Sequence, residues 1–250
     1  MFDAHAHYHD KAFDEDRDTV LKALKTAGIT MVFEASENIA GSILALEMAV
    51  RYAGDEYPKI RVAAGIHPLF IDDGWEDGLA ELKVLLNDKA VSAIGECGLD
   101  YRDIKDTAVR NRQREVFEAQ LDICEEYGLP AVVHSVDAAE DTLRILKTHP
   151  QVTGLLHAFA YSAELAKQYV SLGWKIGIGA VITRPDAVKI KKVAAAVPAE
   201  SILAETDAPY LPPFGKCGRS DSRDIFEIIA AVNKVREEAK AEKICQKQVN

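Results

Sequence analysis

Short apolar runs alternate along the chain with longer stretches in which apolar residues recur every three or four positions. The short runs are typical of buried β-strands, and the longer stretches are typical of amphipathic helices. The pattern predicts strands at residues 2–7, 29–33, 60–64, 91–94, 130–133, 152–156, 174–178 and 202–204. It predicts helices at residues 14–27, 39–52, 75–86, 109–127, 138–147, 163–172, 185–197 and 223–243. A helix therefore separates each strand from the next.

This regular alternation predicts parallel strands joined by right-handed crossovers. Eight such units fit a closed (β/α)8 TIM barrel, an α/β fold, with residues 1–250 forming a single domain. The alternative is an open doubly wound sheet, which usually carries a glycine-rich phosphate loop after its first strand. His5 and His7 occupy that position instead, so the barrel is the prediction.

The composition sets limits on location and partners. A content of 48% hydrophobic residues is typical of a globular protein. No apolar run approaches the roughly 18 residues of a membrane span. Without a basic and then apolar leader, a cytoplasmic protein that does not engage a membrane is predicted. The net charge of −10 argues against broad non-specific nucleic-acid binding, but not against a phosphate substrate held locally by metals. The scattered cysteines are predicted to be reduced thiols: Cys97, Cys124, Cys217 and Cys245.

Histidine and acidic residues stand at or just after the predicted strands. His5 and His7 are two residues apart in the first strand, so their side chains project from one face. The others follow the fourth, fifth, sixth and eighth strands: Glu96, His134, His157 and Asp207. The carboxyl ends of barrel strands meet at one rim, where these side chains are predicted to converge. Each alone has a simpler explanation, such as a helix cap at Asp207, but six together favour a metal site.

Four imidazoles and two carboxylates suffice for two divalent ions. Two bare dications about 4 Å apart repel each other, so a bridging carboxylate is needed, and Glu96 is the predicted bridge. The predicted ligands are His5, His7, Glu96 and Asp207 for one ion, and Glu96, His134 and His157 for the other. Glu96 and Asp207 are also the predicted catalytic residues, because Asp207 can hold or deprotonate a metal-activated water. Zn, Mn and Mg all stay open as the metal.

Five motifs lie in order at the predicted strand ends. They are His5-Ala6-His7, Gly65-Ile66-His67-Pro68, Gly95-Glu96-Cys97-Gly98-Leu99-Asp100, His134-Ser135-Val136-Asp137-Ala138 and Glu205-Thr206-Asp207-Ala208-Pro209-Tyr210-Leu211. Together they resemble TatD-type metal-dependent hydrolases of the amidohydrolase-like barrel superfamily. The resemblance implies a TIM barrel, a two-metal site and, for the best-known members, deoxyribonuclease activity. His67 matches a family histidine that is not usually counted as a ligand, so it is predicted to bind substrate or to support the metal ligands.

The sequence departs from the family pattern around the predicted rim. Val136 stands where the family commonly has arginine, Ala158, Ala160 and Tyr161 replace common motif residues after His157, and residues 215–220 differ from the common motif after the last strand. A missing arginine removes one bidentate partner for phosphate. Arg102, in the loop after the fourth strand, is the predicted substrate contact, and Lys216 and Arg219 are further candidates.

The first hypothesis is a divalent-metal-dependent hydrolase that cleaves DNA phosphodiester bonds from an end, with single-stranded DNA as its partner. The aromatic residues considered for stacking a base are Phe70, Tyr101, Phe159 and Tyr161. The alternative is a two-metal hydrolase of a small-molecule amide, lactone or phosphoester on the same barrel. A non-enzymatic metal-binding barrel is the third hypothesis. His9, two residues past His7, is expected on the surface.

Overall fold

Eight parallel strands form a sheet in which each strand pairs with the next along the chain. The computed structural model describes the backbone of residues 1–249, and the side chains of residues 1–242 and of Ile244. The strands are β1 Phe2–Ala6, β2 Met31–Ala35, β3 Lys59–Ala64, β4 Val91–Asp100, β5 Ala131–Val136, β6 Gly154–Leu156, β7 Lys175–Ile178 and β8 Ile202–Ala204. Ala6 also forms a parallel bridge to Ala208, just past β8, which brings the two edges together. The predicted TIM barrel is confirmed.

Helices follow the strands on the outside of the barrel. They are α1 Arg17–Thr26, α2 Ile39–Arg51, α3 Trp75–Leu85, α4 Thr107–Tyr127, α5 Ala139–Thr148, α6 Ala163–Ser171, α7 Val188–Ala196 and α8 Ile225–Val249. Within the described residues, every helix is too short or too polar to traverse a lipid bilayer.

Strands β4 and β5 are longer than the sequence pattern predicts. The prediction ended β4 at residue 94 and β5 at residue 133, whereas pairing continues through Gly98 and His134. Glu96 and His134 therefore lie inside strands rather than after them. Gly98 has a φ of 133°, and a Cβ there would collide with the carbonyl oxygen of His134. Glycine at this position lets the two site-bearing strands stay paired.

The barrel interior is narrow and lined by small side chains. Five buried residues, one from each of five strands, form the inner cluster: Ala4, Ala63, Ala93, Val132 and Leu155. A larger apolar cluster packs between the strands and the helices and includes Phe117 and Trp174, which are almost completely buried. The two clusters hold the strands in place below the rim where the polar side chains meet.

Irregular pairing in β1 and β4 changes which side chains face inward. In β1 the register shifts between Asp3 and Ala6, so three steps along β1 match two along β2. Ala4 packs in the inner cluster and Ala6 in the outer one. In a regular strand, residues two positions apart would face the same side of the sheet. In β4 the three steps from Ile94 to Cys97 likewise match two steps along β5. Such bulges re-aim side chains, and here they flank His5 and Glu96.

Candidate metal centre

The structure brings together the six side chains that the sequence analysis put forward as metal ligands. His5, Glu96 and His134 lie in β1, β4 and β5. The remaining three, His7, His157 and Asp207, come just past β1, β6 and β8. All of them are buried or half-buried. The predicted convergence at the carboxyl ends is therefore present, and the role of each side chain as a ligand stays a prediction.

One half of the cluster contains His5, His7 and Asp207. The Nε2 atoms of His5 and His7 are 3.1 Å apart, and Asp207 Oδ1 lies 3.2 Å from the Nε2 of His7. Glu96 Oε1 lies 3.6 Å from both of these imidazole nitrogens. Ligands bound at about 2.1 Å to a tetrahedral ion are separated by about 3.4 Å, so these four atoms have the spacing that one divalent ion requires.

The other half of the cluster is reached by the second oxygen of Glu96. Glu96 Oε2 lies 3.6 Å from His134 Nδ1 and 3.6 Å from His157 Nε2. The rings of His157 and His5 stack with their centroids 3.7 Å apart, so the two halves adjoin. Each oxygen of Glu96 thus faces a different pair of histidines. This is the arrangement that a bridging carboxylate needs.

The charge balance of the cluster favours a cation. Burial alone would raise the pKa of the Glu96 carboxyl, but the surrounding histidines, His5 foremost, hold it well below its usual value. Burial also opposes ionisation of Asp207, yet the hydrogen bond from His7 lowers the pKa of that carboxyl. Both groups are therefore ionised. For His7, burial would lower the pKa, but Asp207 and Glu96 raise it to about 10, which reflects the pull of two buried carboxylates on positive charge.

Hydrogen bonds outside the cluster orient the imidazole rings. His7 Nδ1 lies 3.0 Å from the carbonyl oxygen of Ala35, so in the neutral ring, the form that binds a metal, Nδ1 carries the proton and the Nε2 lone pair faces the cluster. His134 Nε2 lies 3.1 Å from Asp100 Oδ2, which leaves Nδ1 facing Glu96. Partners of this kind fix the tautomer of metal-binding histidines. The donor atoms present thus fit a divalent metal.

His67 adjoins the second half of the cluster. Its ring lies 4.4 Å from that of His134, and one of its ligand atoms is within 4.8 Å of those of Glu96 and His134. The Nδ1 of His67 accepts the backbone N–H of Leu69 at 3.1 Å, so in the neutral ring Nε2 carries the proton. Burial lowers the pKa of His67 to about 4, which keeps the ring neutral. His67 is therefore a hydrogen-bond donor at the site, and the predicted contact with substrate stays a prediction.

Arg102 reaches solvent beside the site. Its side chain is 60% exposed, and its Nη2 lies 3.3 Å from Asp100 Oδ2, the oxygen that also faces His134. The backbone N–H of Arg102 donates to the other oxygen of Asp100 at 2.9 Å. Asp100 therefore links Arg102 to the cluster, and the substrate role predicted for Arg102 stays a prediction.

Two other basic side chains proposed as phosphate contacts are engaged elsewhere. Lys216 Nζ donates to Asp224 Oδ1 at 2.6 Å. Arg219 donates to both oxygens of Asp16 at 2.6 Å and lies over the ring of Phe13. These contacts hold the loop after β8 against neighbouring parts of the fold.

The expectation that His9 lies on the surface is wrong. Its side chain is only 8% exposed and lies between two acidic residues, with Nδ1 at 2.7 Å from Glu34 Oε1 and Nε2 at 3.0 Å from Glu37 Oε2. Burial alone would lower the pKa of His9, but these two partners raise it to about 9. Glu37 Oε1 also lies 3.5 Å from His7 Nδ1. His9 therefore supports a carboxylate that contacts the cluster from behind.

Glu205 is a second supporting residue that the sequence analysis did not single out. It is fully buried, and its Oε1 accepts the backbone N–H of Ala158 and lies 3.3 Å from His157 Nδ1. Burial alone would lower the pKa of His157, but Glu205 raises it to about 9. The position of Glu205, two residues before Asp207 in a site motif, was the available signal.

Replacing Gly177 by alanine is expected to disturb the site through Glu205. A Cβ on Gly177 would lie 2.5 Å from Glu205 Oε2, so the carboxylate and then His157 must shift. Loss of such a supporting contact typically costs 10- to 100-fold in metal affinity or activity, and we expect about 10-fold in each. Metal titration and kcat measure it. Gly179→Ala is the control, since its Cβ would sit at an ordinary 3.6 Å from the backbone oxygen of Glu205. Equal effects of the two alanines would contradict the role of Glu205.

A parallel barrel whose strand ends hold a buried cluster of imidazoles and carboxylates is typical of TIM-barrel metal-dependent hydrolases. The family model described as TatD related DNase matches residues 2–249. The chain belongs to this family, so the resemblance drawn from its motifs is confirmed.

Relatives match over most of their length. The uncharacterized metal-dependent hydrolase YabD of Bacillus subtilis is 32% identical over 232 residues, which cover 92% of this chain and 88% of YabD. A protein of Erwinia billingiae named 3'-5' ssDNA/RNA exonuclease TatD is 33% identical over 226 residues, covering 89% of this chain and 84% of the relative. Among solved structures, the TatD homologue YjjV of Escherichia coli superimposes with a TM-score of 0.84 at 28% identity, covering 96% of this chain and 93% of YjjV.

Proposed function

We propose that this protein is a two-metal phosphodiesterase that degrades single-stranded DNA from an end. The observation that carries the proposal is the position of Glu96, whose two oxygens face different pairs of histidines. Its membership of the TatD-related family and the name of its Erwinia billingiae relative support a nucleic-acid substrate. The name of that relative gives its direction of degradation as 3' to 5'.

The proposed ligand sets divide the cluster at Glu96. His5, His7 and Asp207 would hold one ion with it, and His134 and His157 would hold the other. Bound divalent ions supply an activated water and offset the charge of the phosphate. Imidazole donors favour Zn or Mn over Mg, and supply in the cell then decides which ion occupies the site.

Asp207 is the proposed general base. Its side chain is 16% exposed, whereas that of Glu96 is 4% exposed, so water at the mouth reaches Asp207 more readily. Its carboxyl is ionised and accepts a proton from the attacking water. His67 lies beside His134 in the second half and has a proton on Nε2 to donate to a phosphate oxygen, while Arg102 provides an exposed positive charge linked to that half through Asp100.

The alternative is hydrolysis of a small-molecule amide, lactone or phosphoester at the same cluster. The pairing of Lys216 and Arg219 with carboxylates favours it, because these cations are then not free to hold a polyanion. A cytoplasmic setting is proposed with either substrate. It is supported by the free thiols of Cys97, Cys124 and Cys217, the cysteines whose side chains are described.

A labelled DNA strand tests the proposed activity. We expect the purified protein to shorten single-stranded DNA in the presence of one or more of Mg, Mn, Co and Zn, and chelation to abolish the cleavage because the ligand cluster is then empty. Product ladders from strands labelled at either end give the direction. The absence of metal-dependent cleavage with all four ions would refute the nuclease. Turnover of small esters without DNA cleavage would establish the alternative.

A further inference from the structure

Two exposed aromatic rings contact histidines at the candidate site. Phe70 ends the short 3-10 helix Pro68–Phe70 after β3, is 51% exposed, and has its ring 5.8 Å from that of His67. Tyr210, in the loop after β8, is 47% exposed, and its ring lies 5.9 Å from that of His7. Single exposed apolar residues are common on protein surfaces. These two are distinguished by their contact with the cluster.

The two rings adjoin different halves of the cluster. Phe70 contacts His67, whose ring in turn lies 4.4 Å from that of His134, a member of the second half. Tyr210 contacts His7, a member of the first half, and Glu96 lies between the halves. A strand whose phosphate sits at Glu96 therefore has an aromatic ring on either side of it.

Tyr210 is anchored by a hydrogen bond, and Phe70 keeps ring surface open to solvent. Tyr210 donates its hydroxyl to Asp10 Oδ2 at 2.7 Å, which fixes the ring. Phe70 meets His67 at an interplanar angle of 76°, an edge-on contact that leaves ring surface open to solvent. Rings fixed in advance lose little conformational entropy when a ligand binds.

The other aromatic residues considered for stacking are less available. Tyr101 and Phe159 are buried, at 8% and 5% exposure. Tyr161 is half-buried, and its ring packs edge-on against that of Phe159 with the centroids 5.7 Å apart. Phe70 is thus the one of the four original candidates with an open face, and Tyr210 is an addition that the sequence analysis did not include.

Electrostatics alone gives the protein little hold on a polyanion. The net charge is −10, Lys216 and Arg219 are paired with acidic residues, and Arg102 shares Asp100 with His134. Base stacking does not depend on charge, tolerates any sequence, and requires that the bases be unpaired.

We propose that Phe70 and Tyr210 are base platforms on the two sides of the metal cluster, so that the protein holds a single strand by its bases more than by its phosphates. This inference rests on the proposed nuclease function and specifies how that site selects its substrate. A duplex keeps its bases stacked internally and cannot offer them to these rings.

Alanine variants measured on two substrates test the platforms. Phe70→Ala and Tyr210→Ala are each expected to raise KM for a single DNA strand about 10-fold, the loss of one stacked base, with kcat largely retained. On the same strand with abasic sites flanking the cleaved bond, the variants are expected to match the native protein. Tyr210→Phe keeps the ring and should preserve most of the affinity. Tyr127→Ala, an exposed aromatic at the far end of α4, is the control for surface effects.

A binding measurement separates this inference from the nuclease proposal. A strand carrying 2-aminopurine and cleavage-resistant phosphorothioate linkages should lose fluorescence on binding the native protein, and lose much less with Phe70→Ala. The proposal would be wrong if KM were unchanged in both alanine variants, or if KM rose as much on the abasic strand as on the intact strand. It would also be wrong if the native and variant proteins quenched the fluorescence equally. Failure of the native protein to cleave any strand, with the quenching difference intact, would instead refute the nuclease and leave Phe70 as a base-binding ring.

Discussion

Replacing Glu96 by glutamine is expected to remove bound divalent metal and to lower kcat by on the order of 1,000-fold. Glutamine keeps the size of the side chain but loses the negative charge that faces four imidazoles at 3.6 Å. Both proposed ions lose a ligand at once, and their mutual repulsion is no longer offset. Metal content per chain, measured on purified protein, and kcat on single-stranded DNA together test the bridge.

The matched control for Glu96→Gln is Glu237→Gln, which removes an exposed carboxylate from α8. Near-ultraviolet circular dichroism confirms that each variant keeps its tertiary packing. A Glu96→Gln protein that retains native metal content and stays within about 10-fold of native kcat would contradict the bridging role.

Asp207→Asn is expected to lower kcat by about 1,000-fold while leaving KM nearly unchanged, the effect of losing a general base. Asparagine preserves the shape of the side chain but cannot accept the proton from water. Asp207 contacts His5 and His7 but neither His134 nor His157 within ion-pair distance, among the side chains described. Metal loss is therefore expected to be smaller than for Glu96→Gln. Parallel measurements of kcat, KM and metal content test this.

Asp55→Asn provides the comparison for Asp207→Asn, because Asp55 is an exposed carboxylate in the turn that precedes β3, at the opposite end of the barrel. If Asp207→Asn kept native kcat, the base would have to be another group. If instead metal content fell as far as in Glu96→Gln, the loss of activity would reflect the ligand role alone.

The fold could be predicted because buried parallel strands are short apolar runs and the helices between them are amphipathic. The ligand cluster could be predicted for a related reason, since carboxyl ends of barrel strands share one rim. His5 and His7 are two residues apart in the first strand, and Asp207 follows the last apolar run, so the sequence predicted where their side chains lie in the barrel. The extension of β4 through Glu96 was not, because Gly95 and Gly98 flank it and glycine is uncommon in strands.

The supporting contacts could not be predicted because their partners are distant in sequence. His9 meets Glu34, which is 25 residues away, and a lone histidine after a strand gives no sign of it. Arg219 pairs with Asp16, which is 203 residues away, so the sequence alone did not show that its positive charge is already engaged by a carboxylate. Glu205 meets the turn after β6 from 47 residues away. Pairings of this kind follow from the closed barrel and are not encoded locally.

Closure of the barrel joins the earliest and latest parts of the site. The backbone N–H of Asp207 donates to the carbonyl of His5 at 2.9 Å, and that of His7 donates to the carbonyl of Ala208 at 2.7 Å. His7 and Asp207 are 200 residues apart, so during synthesis on the ribosome the histidines emerge long before their carboxylate partner. A nascent chain cut short before β8 lacks both the strand that completes the barrel and the carboxylate that pairs with His7. The two ends of the chain must therefore both be present before the first half of the cluster can assemble.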